Sequence, residues 1–325
     1  MYIMGAKLII KQGDSLIHDI KKAFDQRRPI VTEMFHKDTD AHGNFQKPGR
    51  PPRFSDIDLL TLSIVAESLS LDSEHALFQR LQSDYQDAFP TLIDRSGYNV
   101  RRRKLAPVLD QLRQRLQERL IPQEDRFLVD SMPLPVCQIA RANRARICRA
   151  PLDTVPATGY CASQDQWYYG YKLHTVCTLN GVVTSLDLTP ANTADIHYLR
   201  DIKAEYAQCV IYGDKGYLGQ ELQLDLFTSR RIHVETPMRR NQQDYRPQPG
   251  IIRRARKRIE TFFSQLCDQF LIHRNYAKTF AGLATRVLAK VTAFTLLQYV
   301  NKFVKKRPLN QVKHALAYFH TTGLK

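Results

Sequence analysis

Two short apolar runs, Phe127-Leu-Val and Cys209-Val-Ile-Tyr, each deliver an aspartate: Asp130 directly after the first, and Asp214 one glycine after the second. An apolar run closed by a chain-turning residue, Pro133 in one case and Gly216 in the other, reads as a buried strand. A carboxylate beside a core is costly unless it is paired or holds a cation. Either aspartate taken alone could simply open a solvated turn. Two strands with the same ending argue instead for one shared site.

The segments around these runs predict alternating strands and helices. Trp167–Leu179 and Val182–Leu188 form a hairpin across Asn180-Gly181, a dipeptide suited to a type I′ turn. A helix follows from about Asp195 to Tyr206, then the Asp214 strand, a helix over 219–227, a strand over 231–235 and a long helix over 252–270. The stripe of that last helix is Ile252, Ala255, Ile259, Phe262, Leu266 and Phe270, with Glu260 on its shoulder. This order builds a mixed α/β sheet flanked by helices, with the first and fourth strands as parallel neighbours and the last helix crossing their carboxyl ends.

The region before it is expected to be helical. A helical pattern covers 14–36, and a Gly-, Asp- and Pro-rich stretch at about 38–53 reads as a linker. Ser55 caps a helix to about Leu69, Ser73 and Glu74 start another, and a third runs from Tyr98 to Leu120 with Arg101, Arg102, Arg103 and Lys104 in its first turns. Three short helices with a basic start on the last fit a helix-turn-helix-like DNA-binding unit, and equally a plain bundle with a basic face. Lys47-Pro-Gly-Arg-Pro-Pro-Arg53 is either a rigid lead-in, the favoured reading, or a minor-groove hook. The expected division is 1–120 helical and DNA-binding, 121–280 catalytic, and 281–325 a basic C-terminal helix and tail.

Charge names the partner class. The 325 residues carry 48 Lys+Arg against 32 Asp+Glu, a formal net charge of +16, which favours a polyanion, nucleic acid before membrane. The apolar stretch Val287–Val300 is interrupted by Lys290 and is shorter than a span requires. Met1–Ile10 has no basic leader, and the six cysteines contain no CxxC pair, so the expected setting is the cytoplasm, close to the nucleoid. Cys137, Cys148 and Cys161 with His174 leave a minor metal option. The candidate phosphate contacts are Arg101, Arg102, Arg103, Lys104, Arg141, Arg144, Arg146, Lys172, Lys215, Arg239, Arg253 and Arg256. Trp167 is expected to pack in the core, with stacking on an unpaired base as its other reading.

If the topology is right, Asp130, Asp214 and Glu260 converge. Three carboxylates raise one another's pKa, and hard divalent cations relieve the repulsion. Two Mg²⁺ ions about 3.5–4 Å apart, with Mn²⁺ as a substitute, can activate a nucleophile and stabilise the leaving oxygen in phosphoryl transfer.

Phe-Leu-Val-Asp130-Ser-Met-Pro, Tyr169-Gly-Tyr-Lys-Leu-His174, Tyr212-Gly-Asp214-Lys-Gly-Tyr217 and Arg256-Lys-Arg-Ile-Glu260-Thr-Phe-Phe-Ser-Gln-Leu266 together resemble the DDE transposases of bacterial insertion sequences. They are most similar to the group named after insertion sequence nine-eight-two. The resemblance covers about residues 55–300. It implies an RNase H-like catalytic domain, Mg²⁺-dependent cleavage and strand transfer, and a dimer or larger assembly on double-stranded DNA, both terminal inverted repeats and target. It also implies that Asp130, Asp214 and Glu260 are the catalytic, metal-binding triad. The chain departs from the related Tyr-x2-Arg-x3-Glu-x6-Lys pattern. Arg256 fits, but Arg253 stands at the tyrosine position and Cys267 at the lysine position. The rival readings are a nuclease or resolvase without strand transfer, and a transposase-derived DNA-binding protein without catalysis.

Overall fold

The computed structural model describes residues 19–149, 154–238, 247 and 249–313. Arg239, one of the candidate phosphate contacts, lies outside them, as does the start of the helical pattern at residues 14–18.

Five helices lead the chain: α1 (Ile20–Met34), α2 (Asp56–Ser68), α3 (Glu74–Asp84), α4 (Arg95–Lys104) and α5 (Ala106–Leu120). Ser55 and Ser73 cap α2 and α3 as their sequences require, each accepting a hydrogen bond from the backbone N–H three residues on. The single helix expected over 98–120 is in fact two. Leu105 ends α4 and Pro107 opens α5, because a proline lacks the N–H that a helix interior needs but is well suited to a first turn. Arg101–Lys104 therefore close a helix instead of starting one, where positive charge complements the helix dipole.

The stretch over 38–53 is not a free linker. Asn44 is buried, the Phe45 ring meets Phe35 edge-on at 5.1 Å, and Lys47 pairs with buried Asp56 at 2.8 Å.

The sheet has six strands: β1 (Arg126–Cys137), β2 (Ala157–Cys161), β3 (Gln166–Thr178), β4 (Val183–Pro190), β5 (Val210–Tyr212) and β6 (His233–Glu235). Its order is β2-β3-β1-β5-β6, with β4 also on β3. β1 runs antiparallel to β3 and parallel to β5, so the expected parallel pairing is present. β1 continues through Pro133 and Pro135, where the sequence suggested a stop. Past Leu128 it has lost its β5 neighbour, and a strand with one free edge tolerates proline. β2 has no counterpart in the sequence reading.

The hairpin forms, but its turn is not type I′. Of its loop residues only Gly181 has a positive φ, +83°, and the Thr178 N–H donates to the Val182 carbonyl. This is a three-residue loop with a left-handed glycine.

Helices α6 (Leu199–Glu205) and α7 (Gln220–Arg230) cover one face of the sheet, where Phe127, Val129, Val176 and Ile211 point. α8 (Gly250–Asp268) covers the other, its Ile252, Ala255 and Ile259 against Leu128, Cys177 and Tyr212. β1 is thus buried on both faces, which is why it reads as an unbroken apolar run.

α9 (Phe280–Tyr299) corrects the expected boundary at residue 280. It is no basic appendage but the central core helix, buried from Thr285 to Tyr299 except at Leu288 and packed with α2 and α5. With the π turn after it, Phe280–Val304 is long and apolar enough to cross a membrane, contrary to the sequence estimate. Its apolar surface is largely spent inside the protein, as in a core helix.

Candidate functional site

Register brings the two aspartates together. Arg126, Phe127 and Leu128 stand opposite Val210, Ile211 and Tyr212, so extending the pairing two residues puts Asp214 level with Asp130. Both share the parity of Leu128 and Tyr212, the α8 face. The Ser131 N–H donates to the Asp130 carboxylate at 2.8 Å. Asp214 caps a short 3-10 turn, accepting from the Gly216 N–H at 2.7 Å.

A third aspartate, which the sequence reading took only as a helix start, joins them. Asp195 accepts from the Ser131 hydroxyl at 2.9 Å and from Lys172 Nζ at 3.1 Å. A Cβ on Gly216 would sit 3.0 Å from an Asp214 oxygen and 3.2 Å from an Asp195 oxygen, so the two carboxylates face each other across that glycine. Lys172 has the same strand parity as His174 on β3, which was the available signal that the lysine enters the same face. Lys172 also donates to the Thr193 carbonyl at 2.8 Å. Its charge is paired with Asp195 inside the site.

The electrostatics follow from this crowding. Burial, with Asp214 and Asp195 nearby, pushes the Asp130 carboxyl up to about 6 despite the Ser131 N–H and Arg256. Tyr217 lies beneath the three acids. Its hydroxyl is pushed well above its ordinary value by burial and by Asp195, Asp130 and Asp214, and has no hydrogen-bond partner among the described residues. Burial also keeps the neighbouring His174 neutral, its pKa lowered to about 4, with its ring stacked on Tyr198 at 4.8 Å.

Glu260 stands on the same side of the sheet but exposed, one residue past buried Ile259. Among the described residues no group of three His, Cys, Asp or Glu is close enough to hold a metal ion. Asp130, Asp214 and Asp195 lie near enough to feel one another's charge, while Glu260 stands apart on the exposed side of α8. All six cysteines are free, and the Cys137, Cys148, Cys161 and His174 option has no such group either.

The candidate phosphate contacts divide sharply. Arg102 is buried, bonded to Glu67 at 2.6 Å and Glu74 at 2.9 Å, and Arg101 to Asp56 at 2.6 Å and the Phe54 carbonyl. Both are structural ion pairs, and Arg102 cannot reach a ligand in solvent. Arg103, Lys104, Arg141, Arg144, Arg146, Lys215 and Arg253 are exposed, and Arg256 is half-buried with its charge felt at Asp130. Trp167 is 59% exposed, tilted against Tyr160 at 5.3 Å, which overturns the expectation that it packs in the core.

An acid cluster at the carboxyl end of a parallel strand pair, on a curled mixed sheet flanked by helices, defines a class of α/β protein built to gather carboxylates where strands end. Residues 121–296, a little over half the chain, match the family model described as the transposase DDE domain, and the chain belongs to that family. No curated protein and no solved structure matches it. Membership supports transposase function, a nuclease and recombinase type of activity with DNA as the partner.

Proposed function

We propose that the protein cleaves DNA at the terminal inverted repeats of an insertion sequence and joins the freed 3′-hydroxyls to target DNA, through an RNase H-like catalytic domain. The observation that carries this reading is the parallel pairing of β1 with β5, which leads Asp130 and Asp214 to the same level just past its last pair, Leu128 with Tyr212, inside the segment that matches the family. Kinship with the insertion sequence nine-eight-two group, and an assembly of two or more copies on DNA, belong to the same proposal.

The residues present suit a hard divalent cation. The donors are carboxylate oxygens, one of them with its pKa raised by burial and by its acidic neighbours, and a buried tyrosine hydroxyl beside them lacks a partner among the described residues. Asp130 and Asp214 would hold the ion, and Glu260, which stands exposed on α8 outside the pair in this structure, would join them as the third ligand once DNA is bound. Mg²⁺ or Mn²⁺ held there would supply Lewis-acid chemistry to a phosphodiester and to an attacking water or 3′-hydroxyl. The chain's own contribution is placement. Ser131 and Lys172 fix Asp195, Gly216 leaves room between Asp195 and Asp214, and Arg256 sets a positive charge beside Asp130. Arg141, Arg144, Arg146, Lys215 and Arg253 offer exposed charge to phosphates flanking the scissile bond.

The test combines cleavage and joining of inverted-repeat duplexes in Mg²⁺. Wild type should do both, and Asp130→Asn, Asp214→Asn and Glu260→Gln should do neither. Cleavage without joining would make the protein a nuclease. Specific DNA binding with no metal requirement, unaffected by the three substitutions, would make it a binding protein.

A further inference from the structure

Asp195 lies outside the triad that the sequence suggested, yet it is held at the acid cluster in a fixed orientation. Its side chain is 24% exposed, and the two donors that reach it share one oxygen. The Ser131 hydroxyl, at 2.9 Å, and Lys172 Nζ, at 3.1 Å, both donate to Oδ1. Lys172 is anchored in turn by the Thr193 carbonyl. Oδ2 accepts no hydrogen bond among the described residues and lies against Gly216, 3.2 Å from where a Cβ there would stand.

Two residues tie this carboxylate to the catalytic pair. Ser131 donates its N–H to Asp130 and its hydroxyl to Asp195, so one residue orients both acids. Gly216 donates its N–H to Asp214 Oδ1, and a Cβ on it would stand 3.0 Å from that same oxygen. Asp214 Oδ1 and the open Asp195 Oδ2 thus share the space that a side chain at 216 would fill. Tyr217, 1% exposed, adds a hydroxyl without a partner among the described residues, and the acid it feels most is Asp195. A buried polar group left unmet beside acids is one that ordered water or an ion satisfies.

A carboxylate with one oxygen spent and the other open suits a hydrated ion better than direct ligation. Mg²⁺ held by one or two carboxylates keeps several waters, and those waters donate where a carboxylate accepts. Direct ligation would pull Asp195 off Lys172, and among the described residues no three such groups stand close enough to hold a metal ion between them.

We propose that Asp195 is a positioning residue for the catalytic cation: its open oxygen accepts a hydrogen bond from a water on the ion held by Asp130 and Asp214, while Ser131 and Lys172 keep that oxygen aimed. This rests on the reading that Asp130 and Asp214 hold a divalent cation.

The experiment titrates the full chain with Mn²⁺, alone and with an inverted-repeat duplex, and reads free Mn²⁺ by electron paramagnetic resonance. Lys172 can only donate, so in Asp195→Asn the amide oxygen must turn to the ammonium and the NH₂ toward the waters of the ion, donor against donor. The variant keeps its anchors and loses the acceptor. It should bind Mn²⁺ about tenfold to a hundredfold more weakly than wild type, with the metal-free thermal midpoint unchanged. The Mg²⁺ concentration for half-maximal cleavage should rise by a similar factor. Ser131→Ala, which loses the hydroxyl but keeps the N–H to Asp130, should weaken Mn²⁺ binding in the same direction by less, and Asp130→Asn should abolish it. Wild-type affinity in both Asp195→Asn and Ser131→Ala, with binding lost in Asp130→Asn, overturns the proposal and leaves the functional reading intact. Binding lost in Asp195→Asn as completely as in Asp130→Asn makes Asp195 a direct ligand and overturns the role through water. No Mn²⁺ binding by wild type with or without duplex, or binding that Asp130→Asn does not weaken, overturns the functional reading and this one together.

Discussion

The molecule holds two charge clusters built on opposite plans. At Glu67, one buried carboxylate is surrounded by Arg102, Arg286 and Lys290. At the sheet end, Asp130, Asp195 and Asp214 crowd one another, with Lys172 and Arg256 as the nearby cations. Burial raises both carboxyls, but the cations around Glu67 outweigh it and hold that group at about 2, while the acids around Asp130 add to it. The first cluster uses its acid to tie helices together. The second carries negative charge that only something from outside can neutralise, the pattern expected of a site shaped for chemistry and not for stability.

The comparison can be broken most directly by removing one acid from each cluster. Asp130→Asn should lower cleavage of inverted-repeat DNA by at least about a thousandfold and leave the thermal midpoint unchanged or higher, since a repulsion is lost. Equal activity would detach Asp130 from the reaction. Glu67→Gln should do the reverse at the level of folding. It strips the partner from buried cations and should cost about 3–5 kcal/mol in urea denaturation.

The pH dependence of stability should carry opposite signs. Glu67 has a folded pKa below its ordinary value, so its contribution is present above about pH 4.5 and fades as pH falls toward 2. Asp130 has a raised one, so its contribution is present below about pH 4 and is lost as pH rises through 6. Unfolding of the metal-free protein between pH 4 and 6, beside Asp130→Asn, reads the second effect. Added Mg²⁺ should flatten it if the ion binds there. The smallest expected effect is that of Trp167→Ala, which should shift stability by less than about 0.5 kcal/mol because the ring is 59% exposed. A larger loss would restore the core role that the sequence suggested.

Features set by local periodicity were legible in the sequence. The stripe of α8, the caps of α2 and α3 and the two apolar strands that lead to Asp130 and Asp214 all follow from spacing and cap chemistry that a single segment carries. What was not legible depends on partners far along the chain. Arg102 reads as one of four exposed basic residues until Glu67 and Glu74 are folded against it. Asp195 reads as a helix start until Ser131, 64 residues earlier, donates to it. Trp167 sits in a β-rich run, and only the position of β2 and β3 at the sheet margin decides that its face stays wet. The exposed position of Glu260 is of the same kind, since a helical wheel gives its angle on α8 but not its distance from the strand ends.

The burial of α9 bears on when the protein can come into being. α2 and α5, made first, have as a principal packing partner a helix that begins at Phe280. Until the ribosome has released that segment, their apolar faces lack this partner, and folding through such distant contacts is slow. A nascent or truncated chain ending before residue 280 should therefore expose sticky helical surface and require chaperoning, even with every residue of the aspartate cluster already synthesised. For this protein, competence to fold waits on the synthesis of α9.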